Sequence, residues 1–421
     1  MVDVVIIGAG QRGHDVYAKL LSEYEDVNIK AVAEKDPKRL KRFVKTYDIP
    51  GNLAFNNWEE LFKSGIKADG AIISTMDNMH VGPAVEAIRN GYDLLLEKPI
   101  ATNMEDIMKI TNLSAEKGKN VIVAHVLRYT PFFAKLKAIL STGIIGKVIG
   151  INLNEKIGYF HFAHSYVRGN WRNTTEACPS ILAKNSHDMD ILCYLMDSKC
   201  DFLSSSGSLH FFKGCNSPED SAERCLDCPS EIEKRCPYSA KKIYLGDSVE
   251  WPVSVISDDL SYEGRKNALK YGQYGRCVFK CDNNVADHQT VNMRFENGVD
   301  VSFTMSAFTQ GHYRSIRIFG SEGEIFATLG KTAKIEIKRF VDNVDLNKVV
   351  EISHESGHGG GDRGIVEHFI KTLKKENNTS LSSVFQSVES HLMALSAEKS
   401  RLENGVLIDM AVEREKYGIK K

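Results

Sequence analysis

The stretch Met1-Val-Asp-Val-Val-Ile-Ile-Gly8-Ala-Gly10-Gln11-Arg12-Gly13 decides the fold. Its apolar run, Val4 to Ile7, suits a buried strand and breaks into glycines spaced G-x-G-x-x-G, after which Asp15 to Tyr24 reads as a helix. The first glycine makes a tight turn, the second lets backbone approach a pyrophosphate, and the third lets helix and strand pack closely. The helix N-terminus offers free N–H groups and a positive dipole end to the phosphates. A second apolar strand, Ile29 to Ala33, ends in Glu34, about twenty residues beyond the last glycine, where a carboxylate can grip a ribose 2′-hydroxyl. The stretch therefore predicts a dinucleotide site. Glu34 favours NAD over NADP because its charge would repel a 2′-phosphate, a preference opposed by the nearby Lys35, Lys38 and Arg39.

Outward from this turn, strand and helix alternate through the first hundred and twenty-odd residues, the grammar of a parallel sheet with right-handed crossovers. Asp36-Pro37 starts a helix. Asp69 to Thr75 is a buried strand, Val81 to Asn90 a helix, Leu94 to Leu96 a strand running into Glu97-Lys98-Pro99, Met104 to Lys117 a helix and Val121 to Ala124 a strand. Ligands of such sheets bind beyond the carboxyl ends of the strands, where Gly8, Glu34, Thr75, Glu97, Lys98 and His125 all fall. From about Arg128 long alternating strands take over: Lys147 to Lys156, Gln289 to Glu296, Val299 to Ser306, Tyr313 to Phe319, Glu324 to Leu329 and Lys334 to Phe340, with Asn297-Gly298 and Gly320 to Gly323 as turns. Helices are expected at Pro131 to Leu140, Ile181 to Met196, Gly364 to Lys374 and Leu381 to Leu402, and a solvated tail after Asp409. The expected fold is α/β: a Rossmann dinucleotide-binding domain at 1–126 and an α+β domain at 127–421 with a large, mostly antiparallel open-faced sheet, interrupted by a cysteine-rich insertion at about 208–285.

A chain of 421 residues exceeds what one core usually serves. Its 54 Lys and Arg against 55 Asp and Glu give no electrostatic case for nucleic acid or an anionic membrane surface. No signal-peptide core and no membrane-spanning run is evident, so a cytoplasmic protein is expected. Nine cysteines in such a chain argue for reduced thiols and metal ligation over a disulfide framework.

Together, Gly8-x-Gly10-x-x-Gly13, Thr75 with Asn78 and His80, Glu97-Lys98-Pro99, Arg128-Tyr129, His187-x-x-Asp190 and Arg317 to Gly323 resemble the Gfo/Idh/MocA family, which includes glucose-fructose oxidoreductase and inositol dehydrogenase. The resemblance implies a nicotinamide cofactor held by Gly8, Gly10, Gln11, Arg12, Gly13, Glu34, Thr75, Asn78, His80, Glu97 and Lys98, and a homodimer or homotetramer formed through the sheet's open face. It makes Lys98 the residue that orients a substrate hydroxyl and helps move its proton. His187 occupies the position of the family's active-site histidine, and a neutral imidazole suits removal of a hydroxyl proton near neutral pH. Many members carry an aspartate four residues before that histidine; here the position is Ala183. Lys184, three residues before His187 and expected on the same helical face, is the candidate third catalytic group, binding charge on a substrate oxygen.

Donors and an aromatic plate crowd His161-x-x-His164-Ser-Tyr166-Val-Arg168-Gly-Asn170-Trp171-Arg172, the kind of set that holds a polyhydroxylated ligand. Arg128, Tyr129, Arg168, Trp171, Arg172, Lys184, His288 and His358 are the expected substrate contacts, unless the 161–172 segment is only a solvated loop. The glycine-rich run Gly357 to Asp362 is either a loop closing over the ligand through His358 or a flexible lead into a helix capped by Asp362. Cys215, Cys225, Cys228 and Cys236 form C-x9-C-x2-C-x7-C, predicting a closed structural zinc site, with an iron–sulfur cluster or unliganded or oxidised thiols as alternatives. Cys277-x3-Cys281 is a weaker pair, and Cys178, Cys193 and Cys200 read as small apolar residues. The expected activity is hydride transfer between NAD and a carbohydrate or cyclitol hydroxyl. Two alternatives stand beside it: redox-neutral glycoside cleavage with retained NAD, and a non-catalytic NAD or sugar sensor.

Overall fold

The computed structural model describes residues 1–341, 349–352, 358–376 and 380–419. Six parallel strands form the first sheet: β1 (Val2–Ile7), β2 (Val27–Ala33), β3 (Ala54–Phe55), β4 (Gly70–Ile73), β5 (Asp93–Leu96) and β6 (Val121–Val123), in the order β3-β2-β1-β4-β5-β6. This is the doubly wound dinucleotide-binding order, with its crevice at the switch between β1 and β4. Register makes the site. Ile7 pairs with Ala33 on one side and Ile73 on the other, Ile73 pairs with Leu96, and Leu96 pairs with Val123. The strands thus end level, and Gly8, Glu34, Ser74, Glu97 and Ala124 emerge along one edge.

The nine-stranded second sheet is built on β7 (Val148–Lys156), β8 (Cys200–Ser208), β9 (His288–Phe295), β10 (Asp300–Ser306), β11 (Tyr313–Gly320), β12 (Gly323–Leu329), β13 (Ala333–Arg339), β14 (Val349–Ile352) and β15 (Ile408–Asp409). Its order is β14-β13-β12-β11-β7-β10-β9-β8-β15, antiparallel throughout except for the parallel pair β7 and β10. Alternate residues of β9 and β10 are buried, so one face packs and the other stays open. Helices Ser186–Met196 and Val384–Leu402 lie on the packed face, their Ile191, Leu192, Leu392 and Met393 joining Val291 and Phe303 in one core. Ser383 opens the second of these helices with a reciprocal capping box to Gln386. A late helix, Gly361–Leu373, returns to the first sheet, where Ile365, Val366 and Phe369 pack with Val4, Ile6 and Ile72.

Four expectations are corrected here. The first helix starts at Gln11, directly on the glycine loop, and ends at Leu21. The helix expected over Ile181 to Met196 is broken: Ser180–Ala183 ends at Lys184, and a new helix starts at Ser186. The segment after Asp409 is not merely solvated, because Asp409 caps helix Met410–Lys416 and Arg414 is buried in a pair with Glu389. Strands β3, β8, β14 and β15 had no clear signature: β3 and β15 are too short to show a period, and β8 is interrupted by serines and Gly207.

Candidate functional site

The glycine loop shows three separate demands. Gly8 has φ +95°, and a Cβ there would meet the Ser74 and Thr75 backbone at 2.8–2.9 Å. A Cβ on Gly13 would fall 1.9 Å from the Gly8 carbonyl oxygen, so only glycine lets the helix sit this close to the strand. Around Gly10 the space is open, with only Arg39 Nη1 at 3.9 Å, leaving a backbone cradle at a helix N-terminus that fits a pyrophosphate. Glu34 accepts from Ala9 N at 2.7 Å and Asp36 N at 2.9 Å, which fixes its carboxylate beside the loop.

Glu97 joins this loop to the Lys98 turn at the carboxyl edge of the sheet. It accepts from Arg12 Nε and Tyr17 OH, each at 2.5 Å, and its second oxygen takes the backbone N–H of Lys98. Burial works to raise the Glu97 pKa, but Arg12 and Lys98 together hold it below the usual carboxylate range. Arg12 also donates to Asp362 at 2.8 Å, and Asp362 pairs with His358 at 3.0 Å, so the glycine loop, the Lys98 turn and the 358–362 segment are one polar chain. Gly357 lies outside the described residues; His358 pairs with Asp362, which lies inside helix Gly361–Leu373 and does not cap it, since Gly360 holds the N-cap position.

Lys98 donates to the Ala183 carbonyl at 2.6 Å. Position 183 thus supplies a backbone oxygen to the lysine where the family pattern would place a carboxylate. His187, on the next helix, lies with ring centroids 5.8 Å from His125 and 6.2 Å from His358, and its Nδ1 is buried without a partner. Burial first, then Lys98, His125 and His358, push its pKa well below 6.5, so the imidazole is neutral. Behind it, Arg128 grips Asp190 bidentately at 2.7 and 2.8 Å, and the buried His391 accepts from Ile100 N at 3.0 Å while its Nδ1 faces the Ser387 carbonyl at 2.7 Å.

Lys184 is placed differently from the expectation. The helix break removes it from the His187 face, and its Nζ lies 3.4 Å from both Glu155 Oε1 and His312 Nε2. Burial, partly offset by Glu155, lowers its pKa, with Arg314 and Lys98 adding to the effect. Sequence reasoning missed this network of Glu155, Asp188, His312 and Arg314. Its signal was available: Glu155 and Arg314 take inward positions on β7 and β11, where alternation calls for apolar residues, and they are register partners. Arg314 donates to Asp188 at 2.7 Å and stands 3.1 Å from Glu155.

Several expected contacts are committed elsewhere. Arg128 is locked to Asp190 and the Leu381 carbonyl, and Tyr129 OH to Ser382, so neither is free for a substrate. Arg168 is fully buried, donating to the Arg276 and Tyr238 carbonyls. His80 bridges the Pro99 and Thr75 carbonyls, Thr75 bonds Met79 O, and Asn78 and Gln11 are exposed at the same edge. Trp171 donates to Asp77, Arg172 to Asp282, and His288 pairs with Asp287. His161 faces inward with Trp251 at 4.7 Å and His312 at 4.8 Å, its Nδ1 unpartnered. The zinc expectation is corrected too: Cys215 is exposed, and among the described residues no group of three or more His, Cys, Asp or Glu stands where it could hold one metal ion.

A glycine cradle at the switch point of a doubly wound sheet, with a lysine and a neutral histidine at the neighbouring strand ends, defines an NAD-binding Rossmann oxidoreductase with a second, open-sheet half. Residues 2–125 match the model of the GFO_IDH_MocA oxidoreductase family, NAD-binding Rossmann fold. That match makes residues 2–125 an NAD-binding Rossmann domain of this oxidoreductase family. It is 24% identical over 391 residues to YteT of Bacillus subtilis (strain 168), covering 87% of this chain and 88% of that one. It is 23% identical over 196 residues to inositol 2-dehydrogenase of Burkholderia cenocepacia, an alignment spanning 46% of this chain and 54% of that enzyme. An oxidoreductase from Agrobacterium radiobacter, solved with NAD+, L-tartaric acid and magnesium, shares the fold with TM-score 0.69 at 14% identity, covering 98% of this chain and 99% of that one.

Proposed function

We propose that this protein is an NAD-dependent dehydrogenase acting on a hydroxyl of a carbohydrate or cyclitol. The observation that carries the reading is the meeting of Lys98 and His187 at the carboxyl edge of the first sheet, tied to the glycine loop through Glu97 and Arg12. We place the nucleotide-binding half at 1–126 and the substrate-binding half at 127–421. The glycine loop and Glu34 would hold NAD, which would supply the acceptor for a hydride from the carbinol carbon. The chain's own residues do the rest. Lys98, held at Nζ by the Ala183 carbonyl, has further N–H donors with which to orient the substrate hydroxyl. His187, neutral and with a free ring nitrogen, receives the hydroxyl proton. Lys184 supplies a hydrogen bond to a substrate oxygen, with its charge largely answered by Glu155. His161, His312 and His358, grouped around Lys184 and His187, offer planar rings suited to a polyol. The inositol 2-dehydrogenase likeness and the tartaric acid bound by the Agrobacterium protein support that substrate class.

Exposed Phe326 on the open face of the second sheet supports a homodimer or homotetramer formed there. Glu34 beside Ala9 supports NAD over NADP, since a 2′-phosphate would meet its carboxylate. Titrating the protein with each cofactor tests this. Tighter binding of NAD is expected, and tighter binding of NADP would overturn the assignment of Glu34.

A further inference from the structure

The cysteine-rich insertion carries a second site. Cys225, Cys228, Cys236 and Cys277 line one small hollow, walled by Pro218, Ala222, Ile232, Val278 and Phe279. These are not the four thiols of the C-x9-C-x2-C-x7-C pattern: Cys215 points to solvent, and Cys277, far along the chain, takes its place. An antiparallel bridge between Arg224 and Arg276 brings it there, with Cys225 N donating to Gly275 O and Cys277 N to Glu223 O. A zinc ion draws four sulfurs to about 2.3 Å from itself, hence to within about 4 Å of one another. These thiols face one hollow, and among the described residues no group of three or more is placed to hold a single ion.

A second observation says what charge the hollow takes. Arg168 lines it, fully buried, with Nε on the Arg276 carbonyl and Nη2 on the Tyr238 carbonyl and 3.4 Å from Cys225 Sγ. Its remaining terminal nitrogen, Nη1, has no partner. A buried guanidinium with an idle donor is costly unless an anionic group answers it. The same side chain ties the loops that carry Cys236 and Cys277, so the cation is built into the site.

We propose that Cys225, Cys228, Cys236 and Cys277 hold a [4Fe–4S] cluster, with Arg168 donating toward its sulfurs. In such a cluster each thiolate binds a different iron corner, so the four sulfurs must surround a common core, and these four cysteines line one hollow. Four thiolates on a doubly positive core leave a net negative charge, the complement of Arg168. Assembly is ligand exchange without electron transfer: a preformed [4Fe–4S]2+ core is taken up, four Fe–S(Cys) bonds form, the core's previous ligands leave, and the four thiols release their protons. With four protein ligands no iron is left open to substrate, so the role is structural. Such a cluster would brace the insertion, whose separate core of Cys225, Ala240, Tyr244, Val253 and Leu269 with a few half-buried neighbours is small. Through Arg168 the cluster would also fix the segment bearing His161 at the substrate approach.

The test is elemental analysis of full-length protein purified without oxygen, before and after anaerobic reconstitution with equal amounts of ferrous and ferric iron and with sulfide. About four irons and about four acid-labile sulfides per chain are expected, with broad visible absorption that bleaches on dithionite reduction. Cys277→Ser should lower both contents to near zero, whereas Cys215→Ser should keep them. Stoichiometric zinc without sulfide, a disulfide among these cysteines with no iron, or no iron and sulfide after reconstitution would each overturn the proposal. So would loss of the cluster in Cys215→Ser with retention in Cys277→Ser. The analysis of the unmodified protein decides the matter even where a variant fails to fold.

Discussion

Lys98 and His187 come from opposite halves of the chain, and each owes its state to neighbours. Lys98 is held by a carbonyl and His187 is kept neutral by burial and by Lys98 itself. Lys98→Ala and His187→Ala should each lower turnover by about two to four orders of magnitude, the span of a positioned acid or base, while in His187→Ala NAD affinity stays close to that of the unmodified protein in a binding titration. Lys184→Met should cost less, because its charge is already committed to Glu155. The same burial makes the molecule acid-sensitive. His391 is fully buried, and burial, with His125 adding, pushes its pKa down to about 3 from 6.5. Below pH 6.5 the unfolded chain takes up a proton that the folded chain refuses until about pH 3, so this group's contribution to stability is lost as pH falls through that window. At pH 5 the loss from this one group is about 2 kcal/mol. The urea midpoint should drop clearly between pH 7 and pH 5; a midpoint that does not move would contradict the buried neutral imidazole.

At the scale of elements, the short turn Val126–Tyr129 is clamped to helix Ser186–Met196 by Arg128 on Asp190, both buried. Removing one partner of a buried pair strands the other's charge. Arg128→Ala should therefore destabilise by about 3–5 kcal/mol, read as a lower denaturant midpoint; a change under about 1 kcal/mol would mean the clamp is solvated. Elements also show where sequence was legible. The glycine turn and the long strands β7, β9, β10, β11, β12 and β13 were readable because one-face burial writes a period of two into the chain, and their ends match within a residue or so. The break at Lys184 was not readable, since Ile181 to Met196 carries a continuous helical composition and the kink comes from tertiary contacts of Lys98 and Lys184. Arg128 and Arg168 looked like ligand-binding donors, because type alone does not reveal that a buried carboxylate or a set of carbonyls awaits them. Cys277 was passed over in favour of Cys215 for the same reason: the bridge that brings it to Cys225 is long-range.

On the scale of the whole molecule, two sheets with different physics meet at one edge. The parallel sheet, buried on both faces, brings its strand ends level and presents the cofactor cradle with Glu97 and Lys98. The mostly antiparallel sheet carries helix Ser186–Met196 on its packed face and so delivers His187 to that edge, and it backs the site with Glu155 and Arg314. Helix Gly361–Leu373, packed on the first sheet, closes the circuit through Asp362 and His358. Among the described residues no helix is long and apolar enough to cross a membrane. The central claim is that this edge moves hydride from a polyol carbon to NAD, with Lys98 and His187 handling the hydroxyl proton. The most direct test is to incubate the protein with NAD+ and a panel of sugars and cyclitols deuterated at their carbinol carbons, then weigh the nicotinamide cofactor by mass spectrometry. The account predicts deuterium in free NADH with at least one member of the panel, and its absence with His187→Ala. Tight binding of NAD+ with no label reaching the cofactor from any member, or label confined to retained cofactor with no net NADH, would contradict it.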